Sequence, residues 1–469
     1  KNFRTEIITL TIKQFSVQWH ITTKCGNRCK HCYMFDSSTY EQEKSHELDR
    51  DSLFKILDSI SAFEKKWKAN INTFDITGGD PLLRDDWKML LEELAKRKKI
   101  FHMMGNAESL TDENLEFMKH TGLKGFQLSL DGLPDTHDYL RGKGSFQRTV
   151  QGIKKLKDYD IPVSVMFTLS PENKDELIPL MEFLAKETPA TGFSFDIVSS
   201  VGNAKDFEKT LNRDIIRKIL KDYIEKKREL HRNGYKFRCS EKLHLFRLTH
   251  FELSEYYPVS SSECSIIGGC SIGWSITILS DGTVLPCRRF PLKIGKMPEQ
   301  SFEEILLGSR ELKKFRRPEF YEECGECDFF QLCRGCPAVV YGLTGHPFSP
   351  YPLCFRKYID GKKAEKCVLK KIPLEISYEE EYELICNHFL QKSDVLYRDF
   401  LNKYAGLIVN LCWNSERFNL FMKDREEFLL KEEIEMNDME KILLNNFLLR
   451  RAQGNISDGI IKKLFEQVF

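Results

Sequence analysis

The stretch VQWHITTKCGNRCKHCYMF (residues 17–35) runs from a β-type segment into a short loop with three cysteines. Three residues separate Cys25 from Cys29, and two residues separate Cys29 from Cys32. In a reducing cytosol, cysteines this close together are typical of metal ligands or catalytic thiols. Protein metal sites commonly have four protein ligands, so this loop leaves one coordination position to be filled.

Six β-type runs alternate with helical patterns between residue 17 and about residue 200. Parallel strands joined through helices form right-handed crossovers, and this alternation predicts an α/β fold. We expect a partial (β/α)6 TIM-like barrel, in which functional loops lie at the C-terminal ends of the strands. The cysteine loop follows the first of these strands. The predicted strands cover residues 17–22, 72–77, 100–105, 125–132, 162–170 and 192–198.

The overall composition excludes several classes of partner. The chain has 469 residues, with 71 basic and 70 acidic side chains and a net charge of +1, so charge gives no sign of nucleic acid or a charged membrane. No apolar run approaches the roughly 20 residues of a membrane span, and the first residues lack the layout of a secretory signal. We expect a cytoplasmic protein with no nucleic-acid and no membrane partner.

The composition changes along the chain. A charged helical pattern at about 211–233 is followed by a segment rich in cysteine, glycine and proline at 264–356. Such a segment builds little core of its own and is expected to fold around metal. Helical patterns then return. We predict a partial barrel at 1–235, a cysteine-rich domain at 236–360 and a helical C-terminal extension at 361–469.

The cysteine triplet has two interpretations from spacing alone. It could bind zinc, with His31 or a distant residue as the fourth ligand. It could instead hold a [4Fe–4S] cluster through three thiolates, with one iron left open. CxxxCxxC followed by an aromatic residue, here Tyr33, at the top of the first barrel strand resembles the radical S-adenosylmethionine (SAM) enzymes. The resemblance implies that SAM fills the open iron position and that Tyr33 lies beside the cofactor.

A second motif follows the second predicted strand. In TGGDPLL (77–83), the residues Gly78, Gly79, Asp80 and Pro81 resemble the GGEP motif of the same family, whose backbone and acid meet the SAM amino group. Glycines allow the backbone to approach a ligand closely. Asp80 stands where glutamate is usual, which shortens the reach. Taken alone, this sequence would be an ordinary turn.

A third motif follows the fourth predicted strand. LSLDG (128–132) places Ser129 and Asp131 at its C-terminal end, and Arg141 follows in a glycine-rich loop. These positions resemble the polar contact to the SAM ribose and the arginine that meets the SAM carboxylate. An arginine fork suits that task because it binds a carboxylate through two hydrogen bonds.

Eight further cysteines lie between residues 264 and 354. They resemble the SPASM extension of radical SAM enzymes, which carries two auxiliary [4Fe–4S] clusters. CRGC (333–336) has two residues between its cysteines where the family usually has three, which leaves the role of Cys336 open. The alternative is two structural zinc ions. The resemblance implies an inner cluster on Cys264, Cys270, Cys287 and Cys336 and an outer cluster on Cys324, Cys327, Cys333 and Cys354.

The resemblance implies an enzyme with SAM and three [4Fe–4S] clusters. We expect a maturase that removes hydrogen from a ribosomally made peptide through a 5′-deoxyadenosyl radical and installs an oxidative crosslink, thioether or similar bond. Tetrapyrrole modification, sulfatase maturation and a non-catalytic metal-binding scaffold are the alternatives. Sulfatase maturases carry an aspartate base after the cysteine that corresponds to Cys287, whereas Arg288 and Arg289 follow it here. These arginines are either a feature of peptide and cofactor maturases or a surface pair.

The expected partners are a precursor peptide and a reducing donor of the flavodoxin or ferredoxin type. Only 24 residues precede Cys25, too few for a winged-helix domain, so another segment or a separate protein is expected to bind any leader. The segment at 412–436 is either an amphipathic helix or a relative of leader peptides. We expect His20 to be a satisfied structural histidine, and no catalytic base is assigned. The remaining cysteines, expected to be structural, are Cys239, Cys367, Cys386 and Cys412.

Overall fold

The structure is a computed structural model. It describes residues 16–35, 40–207, 211–253, 270–330, 333–359, 371–386 and separate positions between 404 and 448. The strands are β1 Ser16–His20, β2 Thr73–Thr77, β3 Ile100–Met104, β4 Phe126–Ser129, β5 Val163–Leu169, β6 Gly192–Ile197, β7 Arg238–Ser240, β8 Ile276–Ile278, β9 Thr283–Leu285 and β10 Gly295–Lys296.

Helices separate most of these strands. In the barrel they are α1 Tyr40–Ser45, α2 Arg50–Trp67, α3 Trp87–Lys96, α4 Asp112–Thr121, α5 Pro134–Arg141, α6 Ser145–Asp158, α7 Leu177–Glu187, α8 Arg213–Arg232 and α9 Leu245–Glu252. Beyond the barrel they are α10 Arg310–Lys314, α11 Glu322–Gly325, α12 Pro337–Thr344, α13 Ser415–Lys423 and α14 Arg425–Lys431, and residues 378–386 are also helical. Short 3-10 helices that matter below lie at Pro81–Leu83, Ala107–Ser109 and Gly202–Asp206.

The described strands form one sheet in the order β10-β9-β8-β1-β2-β3-β4-β5-β6-β7. Strands β1 to β7 are parallel, which confirms the six predicted strands and the partial barrel. The seventh strand was not predicted because three residues are too few to show a pattern. On the other side of β1, β8 pairs in parallel, with Val17 opposite Ile276. The cysteine-rich segment therefore begins as an extension of the barrel sheet, and the boundary at residue 235 stays a prediction.

Alternation along the strands separates two faces of the sheet. On β5, Val163, Val165, Phe167 and Leu169 are buried in the hydrophobic core with side chains of the surrounding helices, whereas the residues between them are less buried. A strand alternates its side chains between the two faces, so the less buried polar set lies on the opposite, inner face. The barrel interior is therefore polar, and the core lies between sheet and helices.

Helix ends follow local capping chemistry. In α4 the Thr111 hydroxyl accepts a hydrogen bond from the backbone N–H of Asn114 (3.2 Å), and Gly122 ends the helix with a φ of 83°. Leu115 and Met118, three residues apart on one side of this helix, are buried. These signals explain why the sequence predicted a helix at 111–121. In the part of the chain that is described, no helix is long and apolar enough to cross a membrane.

The segment after the cysteine-rich domain is anchored by a buried cluster of charges. Glu381 accepts hydrogen bonds from Arg316 (2.6 Å) and Arg317 (2.7 Å), and all three side chains are fully buried. The Tyr382 hydroxyl donates to the backbone oxygen of Trp67 on α2 (3.0 Å). Helices α13 and α14 confirm a helical C-terminal region. Cys367 and Cys412 lie outside the described residues.

Candidate active site

The cysteine loop follows β1 and is held by a residue from the other end of the barrel. The backbone N–H of Asn203 donates to the carbonyls of Cys32 (2.9 Å) and Phe35 (2.8 Å), and its Nδ2 donates to the carbonyl of Cys29 (3.2 Å). Gly202, with a φ of 61°, lets the two segments meet, because an added Cβ would lie 2.6 Å from the Tyr33 carbonyl oxygen. Sequence reasoning missed Asn203; its only signal is a Gly–Asn pair after the sixth strand.

The GGDP motif packs directly on the cysteine loop. The N–H of Gly79 donates to Thr22 (2.8 Å) and that of Asp80 donates to Lys24 (2.7 Å), in both cases to the backbone carbonyl. A Cβ on Gly79 would lie 2.3 Å from the Lys24 oxygen and 2.8 Å from Cβ of Cys25. A Cβ on Gly78 would lie 2.4 Å from the Thr22 oxygen. The close approach that these glycines allow is therefore to the cysteine loop itself.

Asp80 is almost fully buried beside this contact. Its carboxylate accepts hydrogen bonds from Ser109 Oγ (2.5 Å) and from the Leu82 N–H (3.3 Å), and Pro81 begins the short helix that follows. Burial raises the pKa of Asp80, and the hydrogen bond from Ser109 opposes that effect. A carboxylate held in this way close to Cys25 suits a cationic amino group.

An open recess of about 230 Å³ lies beside the loop and is lined by Asn27, Asn106, Ser129 and Arg141, among others. Asn106 Nδ2 donates to Cys25 Sγ (3.3 Å), and Arg141 Nη1 donates to Cys29 Sγ (3.8 Å). Ser129 and Arg141 are thus brought together at this recess, as the resemblance implied. Asn106 was not predicted, although it follows the third strand directly.

Asp131 is enclosed by protein. Its carboxylate forms ion pairs with Arg141 and with His31 Nε2 (3.0 Å) and accepts a hydrogen bond from the N–H of Thr168 (2.7 Å). Burial alone would raise its pKa, but Arg141 and His31 hold that pKa well below the usual range. Because Asp131 is fully buried and both its oxygens are engaged, this geometry gives it a role in orienting Arg141 and His31 instead of the direct ribose contact that the resemblance implied.

The thiols of the loop suit a metal group. Burial raises the pKa of Cys25 and raises that of Cys29 to about 11, although Arg141 acts against it at Cys29. A bound metal deprotonates a coordinating thiol, and the hydrogen bonds from Asn106 and Arg141 would then stabilise the thiolates. Tyr33, at the end of the motif, is partly buried, and its removal from water raises its pKa to about 12.

The auxiliary cysteines fall into two groups. Cys270, Cys287 and Cys336 interact electrostatically with one another, and burial raises the pKa of Cys336 to about 11. The fourth member of this expected set, Cys264, lies outside the described residues. Cys336 thus interacts with Cys270 and Cys287, and its membership of the inner set stays a prediction. The second group consists of Cys324, Cys327, Cys333 and Cys354, whose thiols also interact with one another.

Among the residues that the structure describes, the cysteine groups offer thiol donors and no mixed ligand set for a single ion. In the described ranges, no three His, Cys, Asp or Glu side chains converge on a position for one metal ion. The donors of both auxiliary groups are thiols alone, a ligand type that suits iron–sulfur clusters.

Arg288 and Arg289 are not a surface pair, so that interpretation was wrong. Arg288 is buried and pairs with Glu43 of α1 (2.9 Å). Arg289 pairs with Asp196 at the end of β6 (2.8 Å), and its Nη2 donates to Cys336 Sγ (3.7 Å). Two consecutive arginines thus connect the auxiliary segment to two parts of the barrel, contacts that sequence adjacency could not reveal.

Polar side chains from distant strands face a common space inside the barrel. Lys242 interacts electrostatically with Asp196 of β6 and Asp75 of β2, which are not neighbouring strands, and its Nζ lies 3.8 Å from Met166 Sδ of β5. Lys242 is exposed to solvent, and the charges of both aspartates act on it although β2 and β6 are not neighbours in the sheet. In the described residues, Lys242 forms no ion pair within 4.0 Å. The interior therefore presents charged groups to a substrate.

His20 ends β1 beneath the cysteine loop and is fully buried. Neither ring nitrogen has a hydrogen-bond partner among the residues that the structure describes, contrary to the expected satisfied structural histidine. Burial, with a smaller effect from Arg288, lowers its pKa well below the ordinary value. The Tyr33 ring packs edge-on against it, with a centroid distance of 6.5 Å.

The sequence model of the Radical SAM superfamily matches residues 19–184, and that of SPASM, an iron–sulfur cluster-binding domain, matches residues 270–328. The chain is 28% identical over 365 residues to the AdoMet-dependent heme synthase of Methanosarcina barkeri, covering 76% of this chain and 100% of that protein. It is 27% identical over 365 residues to the antilisterial bacteriocin subtilosin biosynthesis protein AlbA of Bacillus subtilis, covering 75% and 74%.

Among solved structures, Streptococcus suis SuiB bound to its precursor peptide SuiA superposes with a TM-score of 0.55. The alignment covers 76% of this chain and 79% of SuiB at 17% identity, which establishes a shared fold. The chain therefore carries a Radical SAM superfamily domain in its partial barrel, followed by a SPASM iron–sulfur cluster-binding domain.

Proposed function

We propose that this enzyme modifies a ribosomally made peptide oxidatively, through a crosslink, a thioether or a similar bond. The observation that carries the proposal is the contact of Arg289 with both Asp196, at the barrel interior, and Cys336, in the inner auxiliary group. A substrate in the interior would thereby lie next to a group able to accept its electron. AlbA and the sporulation killing factor maturation protein SkfB, 28% identical over 286 residues, are named for peptide products.

Cys25, Cys29 and Cys32 would hold the SAM-binding [4Fe–4S] cluster. When bound, SAM and this cluster supply a radical that removes hydrogen from the substrate, and auxiliary clusters supply an acceptor for the electron that leaves as a bond closes. Arg141 places a positive charge beside Cys29, where a SAM carboxylate could pair with its fork. Asp131 and His31 hold that fork in place.

The other SAM contacts follow from position. Gly78, Gly79 and Asp80 bring a carboxylate next to the cysteine loop, which suits the SAM amino group. Ser129, on the wall of the recess, is the better candidate for the ribose because Asp131 is enclosed. Tyr33 would close the opposite side of the loop and keep water away from the reacting atoms.

The eight auxiliary cysteines would hold two further [4Fe–4S] clusters. Eight thiolates occupy every iron of two clusters, so no iron would be open to substrate. This counting favours an electron-transfer role. A flavodoxin or ferredoxin type donor would reduce the catalytic cluster, and a separate protein or another segment would bind a leader. Reduced thiols in this number are in line with a cytoplasmic location.

Tetrapyrrole modification is the second candidate, because the M. barkeri heme synthase is matched along its whole length. Lys242, inside the barrel, could pair with a carboxylate of such a substrate as readily as with an acidic peptide side chain. Sulfatase maturation has less support, since the position after Cys287 holds Arg288 in a buried ion pair with Glu43.

The test is an anaerobic incubation of the reconstituted enzyme with SAM, a reductant and either candidate precursor peptides or an iron coproporphyrin. We expect 5′-deoxyadenosine together with a peptide that is lighter by two hydrogen atoms. A Cys29→Ala variant should form neither product. Turnover of the porphyrin with every peptide unchanged would overturn the peptide assignment. If an enzyme with its full iron content formed no 5′-deoxyadenosine, the protein would be a non-catalytic metal-binding scaffold.

A further inference from the structure

We infer that Arg289 raises the reduction potential of the inner auxiliary cluster and that Asp196, the carboxylate paired with Arg289, partly offsets this effect. The inference rests on the proposed assignment of Cys270, Cys287 and Cys336 to that cluster. It goes beyond the proposed function because it names the group that decides how readily the substrate's electron is accepted.

The guanidinium of Arg289 is held on three sides. Its Nη1 donates to the carbonyl of Ile197 (3.1 Å), and its Nη2 lies 2.8 Å from Asp196 Oδ2 and 3.7 Å from Cys336 Sγ. The second carboxylate oxygen of Asp196 accepts a hydrogen bond from the N–H of Ile197 (2.9 Å). A cation fixed in this way keeps a constant position relative to the thiol.

The direction of the effect follows from charge. A reduced cluster carries one more negative charge than an oxidised cluster, so a nearby cation and a hydrogen bond to a ligand sulfur favour reduction. Arg289 also acts against the rise that burial causes in the pKa of Cys287 and Cys336. Asp196 is an anion next to Arg289, so its charge partly cancels the electrostatic effect of Arg289 on the cluster.

The outer group offers a matched control. Arg356 forms an ion pair with Asp328 (2.5 Å) beside Cys327 and Cys354, in the same chemical arrangement as Arg289 with Asp196. Its charge therefore acts on the outer group. A variant at Arg356 shows what the loss of a partly buried arginine ion pair does to this domain in general.

The experiment is a redox titration of the reconstituted holoenzyme, followed by electron paramagnetic resonance, with iron per chain measured on each sample. Cys336→Ala identifies the inner signal by its loss. We expect Arg289→Met to shift the inner midpoint potential downward, Arg289→Lys to shift it less, and Asp196→Asn to shift it upward. Arg356→Met should move the outer signal and leave the inner signal in place.

Opposite shifts for Arg289→Met and Asp196→Asn would establish electrostatic tuning, since a structural defect would not reverse sign. Unchanged inner potentials in both variants, or shifts in the same direction, would overturn the inference. If the Arg289→Met variant does not retain the inner cluster, the inner midpoint potentials of Asp196→Asn and Arg289→Lys test the inference. A wild-type enzyme without an inner iron signal would instead refute the cluster assignment in the proposed function.

Discussion

The fully buried carboxylate of Asp131 holds the guanidinium of Arg141 against Cys29, and Arg141 lines the recess beside the cysteine loop. The two residues stand ten positions apart: Asp131 lies in the turn after β4, and Arg141 is the last residue of α5. The same carboxylate pairs with His31, which lies between two of the loop cysteines. One buried anion therefore organises both the recess and the cysteine loop.

Asp131→Asn should impair both folding and SAM binding. The asparagine amide keeps the shape of the aspartate carboxylate but leaves Arg141 without its counter-ion. Breaking a buried ion pair in this way costs about 3–5 kcal/mol. We expect a lower unfolding temperature and SAM affinity reduced at least about tenfold, measured by thermal unfolding and by SAM titration. Asp135→Asn, at an exposed position of α5, should leave both unchanged. Normal SAM affinity in Asp131→Asn would argue against a role for this pair in holding the cofactor.

Gly79→Ala should prevent assembly of the catalytic cluster. The new Cβ would lie 2.3 Å from the Lys24 carbonyl oxygen and would push the cysteine loop away. We expect the purified variant to lack about one cluster's iron and to form no 5′-deoxyadenosine. Gly26→Ala is the matched control in the same loop, because nothing lies within 4 Å of its added Cβ. Full iron content in Gly79→Ala would show that the loop tolerates this displacement.

Asn203→Ala should loosen the cysteine loop without unfolding the barrel. Only the side-chain hydrogen bond to the Cys29 carbonyl is lost, which costs about 1 kcal/mol, or about a fivefold change in an equilibrium. We expect a chelator to remove iron from the catalytic cluster roughly fivefold faster at an unchanged unfolding temperature. Asn233→Ala, at the end of α8, should release iron at the wild-type rate. Equal rates for both variants would contradict a clamping role.

Iron, sulfide and zinc should be measured per chain after anaerobic reconstitution. Three four-iron clusters predict about twelve iron atoms and no zinc. Cys333→Ala should lower iron by about one cluster and leave 5′-deoxyadenosine formation in place, because Cys333 lies in the outer group. About four iron atoms together with zinc would mean that the auxiliary cysteines form a structural zinc module and that the electron-acceptor role is wrong.

Lys242→Met should weaken binding of an anionic substrate. Lys242 lies 3.8 Å from Met166, is affected by the charges of Asp75 and Asp196, and is not among the residues that line the recess beside the cysteine loop. We expect KM for the substrate to rise at least about fivefold, the equivalent of about 1 kcal/mol, while SAM affinity stays at the wild-type value. Lys236→Met, at an exposed position, is the control. An unchanged KM would remove Lys242 from the substrate site.

Sequence reasoning predicted the strand and helix order closely because each element carries a local pattern. The helix predicted at 111–121 is observed at Asp112–Thr121, where Thr111 and Gly122 cap the two ends. Strands β7 and β8 were not predicted, because each has three residues, too few to show an alternating pattern. Their placement depends on pairing with β6 and with β1, which are distant in sequence.

By itself, the sequence determined the cysteine spacings, the glycines of GGDP and the alternation that produces the barrel, since these depend on residues close to one another along the chain. Only the tertiary structure decided that Asn203 clamps a loop 174 residues earlier, that Asp131 is enclosed, and that Arg289 joins Asp196 to Cys336. The physical reason is that such contacts depend on how the curved sheet brings strand ends together. A hydrogen bond requires distances within a few tenths of an ångström, and no local pattern specifies that across 100 residues or more.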